Sequence, residues 1–196
     1  MSTPLPAAAL AQLFHDARTH SHWQQREVSD ETLQQLFELL KLCPTSANAS
    51  PARFVFLKSS AAKEQLRPFL MEGNVDKTLS APVCVIVAQD MQFYEHLPRL
   101  YPHADAKSWF EGNAAAIEAT AARNSTLQGA YLIMAARALG LDCGPMSGFD
   151  NAGVDAAFFP DGQWRSLLVV NLGYGVTEGL PPRGPRLAFE QAAAIV

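Results

Sequence analysis

Apolar residues at Leu33, Leu36, Phe37 and Leu40 recur at helical spacing, with Ser29 and Asp30 ahead of them as caps. Pro44 then stops the helix, because proline can neither donate the next hydrogen bond nor fit the turn before it. Upstream, Leu10, Leu13 and Phe14 give a first helix an apolar face, ending near Arg18. The run Val83-Cys84-Val85-Ile86-Val87-Ala88 has no polar interruption and predicts a strand buried on both faces. Phe54 to Leu57 and Leu167 to Leu172 read as two further strands, and Ala61 to Leu70 as a short helix. Between Met91 and Trp109 the pattern predicts short helices broken at Pro98 and Pro102. The longest helical stretch runs from Ala114 to Leu139, alanine-rich and closed by Gly140, a residue suited to the left-handed turn past a helix end. A short strand-like turn, a helix capped by Asp150, and a tail rich in proline and arginine complete the chain. Helices and strands interspersed in this way predict an α/β or α+β fold with helices on the faces of a central sheet.

Composition narrows the class without naming a function. Across 196 residues, 48% hydrophobic and 17% charged content is globular rather than disordered. With no repeats, charge blocks or linker-like stretches, residues 1–196 are expected to form a single domain. A net charge of −4 gives no electrostatic case for nucleic acid or an anionic membrane, although local basic residues can still hold one phosphate. No stretch has the apolar length a bilayer requires, and the N-terminus lacks the basic-then-apolar layout of a secretory leader. Cys43, Cys84 and Cys143 form no C-x-x-C and cannot all pair, which points to a reduced, cytoplasmic setting.

Two loops concentrate the chemistry. Pro44-Thr45-Ser46-Ala47-Asn48-Ala49-Ser50-Pro51 and Gly144-Pro145-Met146-Ser147-Gly148-Phe149 are rich in small residues and short donors. Loops of this kind let backbone N–H groups approach a flat, polar-edged ligand. In order, with an arginine-bearing tail after them, they resemble the FMN-dependent nitroreductase family over nearly the whole chain. The resemblance also rests on Asp16-Ala17-Arg18-Thr19-His20, Gly73-Asn74 with Lys77-Thr78, Ala122 to Leu127, Ala136 to Phe149, and Pro185-Arg186-Leu187. Within the family, the chain is most similar to the small reductases of pyrimidine breakdown that convert malonic semialdehyde to 3-hydroxypropionate.

The resemblance implies a nitroreductase-like α+β sandwich, with a mixed, largely antiparallel sheet flanked by helices. It also implies a homodimer with two FMN sites at the interface, NADH or NADPH as electron donor, and chemistry centred on the flavin with no catalytic side chain. Arg18 and Arg186 would hold the flavin phosphate, assisted by Arg183, Thr19 and His20. Pro145, Met146, Ser147 and Gly148 would face the ring near N5 and O4, and Asn74 the pyrimidine edge. Lys77 reads either as a cation near N1 or as a solvated surface lysine. Thr45, Ser46 and Asn48 would reach the flavin of the other subunit. Arg53 reads either as an anchor for a substrate carboxylate or as a solvated charge flanking its strand.

The chain departs from the family at two places. It offers Ser21 or His22 where a second basic residue commonly follows the first arginine, and Ser50 and Ala52 where Gln and Trp are usual. Losing the tryptophan opens space and removes a stacking surface, which counts against a bulky aromatic substrate without forbidding one. Two alternatives stay open: a broad-specificity NAD(P)H nitroreductase or quinone reductase, and a flavin-poor binding protein on the same fold. Asn124, Ser125 and Gln128 on the long helix read as packing polar residues. Gly173-Tyr174-Gly175 with Gly179 misses the dinucleotide fingerprint by one residue and precedes no helix. His15, His20 and His22 lack the spacing of a zinc site, so no metal is expected.

Overall fold

A computed structural model describes residues 3–196; Met1 and Ser2, the start of the expected 1–196 domain and of the N-terminal stretch, lie outside the described residues. Among the described residues, four strands form one sheet in the order β1-β2-β4-β3: β1 Ala52–Leu57, β2 Val83–Asp90, β3 Asp142–Met146 and β4 Trp164–Gly173. Every strand pairing is antiparallel, and a parallel contribution comes only from the isolated bridge Thr19 to Cys143. The layout agrees with the expected α+β sandwich, the sheet being antiparallel throughout its strands where a mixed, largely antiparallel one was expected.

Period-two alternation along β2 divides the core. Val83, Val85 and Val87 pack with Leu33, Leu36 and Leu40 of α2 (Asp30–Leu40) and with Leu132 and Ala136 of α6 (Ala114–Ala138). Cys84, Ile86 and Ala88 face the other layer, with Leu66, Phe149 and Val154. That layer is built from α3 (Ser60–Leu66), α4 (Glu72–Leu79) and α7 (Asn151–Phe158). All eight residues of β2 are buried, as the uninterrupted apolar run predicts. Burying each large aliphatic side chain contributes about 1.5–3 kcal/mol, so this two-sided strand is the main source of cohesion.

Several boundaries differ from the sequence reading. The first helix is only α1 (Ala7–Leu10), continued by a π-helical turn over Ala11–His15. Between Met91 and Asn113 there are short turns around α5 (Leu97–Leu100), packed through Phe93, Leu97 and Phe110. The tail after β4 has one short helix, α8 (Phe189–Ala192). No periodicity announces α4, since Gly73 and Asn74 are poor helix formers; its buried Thr78 and partly buried Val75 hold it against the core. Ser29 Oγ accepts from Thr32 N–H at the start of α2, and Asn113 Oδ1 from Ala116 N–H at the start of α6.

Candidate functional site

The N-terminal segment is laid along the outer edge of the sheet. His20 N–H donates to Cys143 O at 3.0 Å, so Arg18 and Thr19 run beside the start of β3. The tail returns to the same corner: Arg183 Nη2 donates to His15 O at 2.7 Å and Ala17 O at 2.8 Å, and Arg18 Nη2 donates to Pro181 O. Together they enclose a cavity of about 290 Å³ whose lining includes Arg18, Thr19, Arg137, Arg183 and Arg186 and no carboxylate. None of the four arginines forms an ion pair among the described residues; their partners are main-chain carbonyls and, for Arg137, the Met134 sulfur. Four guanidinium groups around one cavity repel each other until an anion enters, and their planar forks suit a phosphate.

At the far end of β3 lies the second half of the site. Gly148 O accepts from Met71 N–H at 3.1 Å and from Asn74 Nδ2 at 2.7 Å. A Cβ at Gly148 would sit 2.6 Å from Asn74 Nδ2, so this close approach requires glycine. Asn74 and Lys77 are three apart on α4 and share a face. Lys77 O accepts from Trp23 Nε1 and Asn171 Nδ2, which fixes the C-terminal end of α4. The Lys77 side chain is half-buried and forms no ion pair among the described residues. Pro145 and Met146 belong to β3 itself, while Ser147 is exposed just past it. The five residues of β3 span roughly 16 Å between the arginine cavity and the glycine loop. That is a length for an extended ligand with an anionic end and a polar-edged end.

The loop bearing Thr45, Ser46 and Asn48 sits elsewhere. It leads into β1, on the opposite edge of the sheet, three strand spacings or roughly 14 Å from β3. Ala47, Asn48 and Ser50 adopt left-handed backbone conformations at φ 50°, 51° and 43°, unfavourable for residues with side chains. Surrounding groups impose this shape. Ser46 N–H donates to Asn124 Oδ1 at 2.8 Å, Ser50 N–H to Thr45 Oγ1, Ala52 N–H to Gln128 Oε1, and Asn48 Nδ2 to Leu100 O. Asn124 and Gln128 of α6 therefore clamp the loop backbone, which refines their reading as packing residues, while the buried Ser125 Oγ has no partner among the described residues.

Two of the residues singled out in the sequence have partners within the chain. His20 is 3% exposed, with Nδ1 3.2 Å from Val176 O and Nε2 3.4 Å from Asp142 Oδ1. Its ring fastens the N-terminal segment to the chain just past β4. Gly175 is the matching signal: a Cβ there would lie 2.1 Å from His20 Nδ1. Arg53 is neither a free anchor nor a solvated charge. It pairs with Asp90, which has no solvent exposure, and donates to Ser50 O at 3.0 Å and Ala52 O at 2.9 Å. Its guanidinium thus pins the strained loop to the sheet.

Sequence reasoning missed Arg137 and Asp90. A basic residue in the last turn of a long helix ordinarily serves the helix dipole, so nothing set Arg137 apart. Cys84 and Cys143 are buried thiols that desolvation pushes up to about 12, and burial raises Cys43 as well; none is poised for nucleophilic work. Among the described residues, no His, Cys, Asp or Glu cluster is arranged to hold a metal, and no helix is long and apolar enough to cross a membrane.

The sequence matches the Nitroreductase family over residues 3–174, leaving the tail with Arg183 and Arg186 beyond the matched region. It is 64% identical over 193 residues to a protein of Burkholderia lata named as an NADH dehydrogenase/NAD(P)H nitroreductase, covering 98% of this chain and 99% of that one. A similarly named protein of Ralstonia nicotianae is 57% identical over 192 residues, covering 98% of each chain. In fold, the chain matches a structure from Exiguobacterium sibiricum solved in complex with FMN, with TM-score 0.87, 21% identity and full coverage of both chains. With this family match and relatives of such identity over nearly the whole length, the chain belongs to the nitroreductase family.

Proposed function

We propose that the four-arginine cavity receives the phosphate of FMN, with the flavin ring directed toward Gly148, Asn74 and Lys77. The protein is an NAD(P)H oxidoreductase of the nitroreductase type, with FMN as cofactor. The observation that carries the site assignment is the cavity itself: four unneutralised guanidinium groups and no carboxylate, 16 Å or so along β3 from a glycine loop. Bound FMN supplies two-electron transfer between NAD(P)H and a second substrate.

The chain's own residues bind and orient. Arg18, Arg183 and Arg186 hold the phosphate, with the Thr19 hydroxyl beside them. The N–H groups of Ser147 and Gly148 serve the polar edge of the ring, at a height set by the Asn74 and Met71 bonds to Gly148 O. Lys77 places positive charge where the reduced ring gathers negative charge, a fixed electrostatic aid that needs no reorganisation. Thr45, Ser46 and Asn48 lie too far from β3 to serve the same cavity in one chain, which supports a homodimer in which each loop completes its partner's site.

The acceptor we propose is a small carbonyl compound of the malonic semialdehyde type, on the strength of the sequence resemblance and the small residues Ser50 and Ala52. The names of the relatives favour a second reading, an NAD(P)H nitroreductase, and the broad-specificity alternative extends it to quinones. The visible spectrum of the purified protein, before and after dialysis against FMN, tests the shared part. Flavin bands that bleach on anaerobic addition of NADH or NADPH are expected. Failure to take up flavin at saturating FMN would overturn the assignment and leave the flavin-poor binding protein. Turnover with malonic semialdehyde against a nitroaromatic and a quinone then decides the acceptor.

A further inference from the structure

The structure assigns Arg137, at the C-terminal end of α6, as a fourth phosphate-binding residue; this rests on the FMN reading above. Arg137 lines the same cavity as Arg18, Arg183 and Arg186, from a different element, the last turn of α6. Its Nη1 donates to Leu13 O at 3.0 Å, which aims the guanidinium across the segment that bears Arg18. Its Nε is buried and has no hydrogen-bond partner. The half-buried Arg137 cation is partly desolvated, and an anion in the adjoining cavity offsets that cost through its charge rather than through a bond to the buried Nε.

The neighbouring carboxylates leave Arg137 unpaired. Asp16 and Asp142 line an adjoining cavity of about 210 Å³ that Arg137 also borders, yet neither is within ion-pair distance of it among the described residues. The carbonyl end of α6 would repel a phosphate, and two features offset it. Gln12 Nε2 donates to Arg137 O at 2.7 Å and covers the terminal carbonyls, and the Arg137 cation itself sits in the last turn. Arg137 thereby supplies the second strong cation that this chain lacks shortly after Arg18, where Ser21 and His22 stand. The ligand feature it reads is the phosphate dianion, not the ring.

The test compares FMN with riboflavin, which shares the ring and ribityl chain and lacks the phosphate. Dissociation constants for both are measured by flavin-fluorescence quenching on flavin-stripped Arg137→Gln, Arg186→Gln and parent protein. Arg137→Gln is expected to weaken FMN about tenfold and leave riboflavin within about twofold, the loss of one charge-assisted fork. If FMN and riboflavin weaken together, or neither changes, while Arg186→Gln is FMN-selective, Arg137 only braces Leu13 and the inference falls with the FMN reading intact. If neither variant discriminates the two ligands, the cavity is not the phosphate site and both fall. Should Arg137→Gln fail to fold, Arg137→Lys keeps the charge without the fork; FMN-selective weakening of about threefold supports the assignment and its absence overturns it.

Discussion

Replacing Arg53 with alanine removes the cation from a carboxylate that has no contact with solvent. Asp90 is fully buried and the Arg53 side chain is only 20% exposed, so solvent does little to screen the pair. Breaking a buried pair from one side costs about 3–5 kcal/mol, because the remaining charge is stranded. Here Asp90 Oδ1 keeps the Gln92 N–H at 2.8 Å and Gln163 Nε2 at 3.2 Å, which places the expectation at the lower end, about 3 kcal/mol. The Arg53 hydrogen bonds to Ser50 O and Ala52 O vanish too, releasing a loop with three strained backbone positions. For a chain of this size, 3 kcal/mol is roughly a 6–12 °C fall in Tm.

Urea unfolding of the parent, Arg53→Ala, Asp90→Ala and the double variant measures it. The double variant is expected to cost less than the sum of the singles by about 2 kcal/mol, since the second change removes the stranded charge. In the kinetic arm, normalised to flavin-loaded protein, the KM values for carboxylated and uncharged aldehydes are expected to change alike. A parent-like stability for Arg53→Ala, joined to a KM rise confined to carboxylated acceptors, would refute the argument and restore Arg53 as a substrate anchor.

Gly148→Ala drives a methyl to 2.6 Å from Asn74 Nδ2 and 3.1 Å from Met71 Sδ, breaking the bond that sets the loop. It is expected to weaken FMN and riboflavin equally, about tenfold by fluorescence titration, at an overpacking cost of about 1–3 kcal/mol; a loss confined to FMN would contradict a role at the ring. Stability is also expected to fall above pH 9. Burial holds Cys84 and Cys143 at about 12 in the fold against 9.0 for a free thiol, so both stay protonated where the unfolded chain ionises. Their contribution is complete below pH 9 and is lost as pH rises toward 12, roughly 1.4 kcal/mol per pH unit for each thiol. Lys63, whose ammonium burial pushes down, acts in the opposite sense. Urea unfolding at pH 8 and pH 10 reads the slope, and Cys84→Ala is expected to be less pH-sensitive than the parent; an unchanged slope would refute the assignment.

Local pattern made much of this protein legible. The apolar run Val83 to Ala88 specified burial of that part of β2 on both faces, because every side chain of a strand faces one layer or the other and none of these six is polar; the burial of Gln89 and Asp90 was not legible. Periodicity placed α2 and α6, and Pro44 and Gly140 marked their ends. The density of short donors and glycines marked two loops as candidates, and the family resemblance singled out the arginines near the two ends of the chain. What local pattern could not supply is whatever depends on partners distant in sequence. The helix α4 forms from a weak segment because Thr78 and Val75 are buried by tertiary contacts, and its Asn74 finds Gly148, 74 residues away. Arg53 and Asp90 each look solvated until the antiparallel register of β1 and β2 brings their ends together. His20 is claimed by the chain just past β4, and Arg137 is delivered to Arg18 and Arg186 by the end of a 25-residue helix. Charge has no periodicity by which its partner can be read: an ionisable side chain's role is set by the groups within a few ångströms, and only the packed chain brings them there.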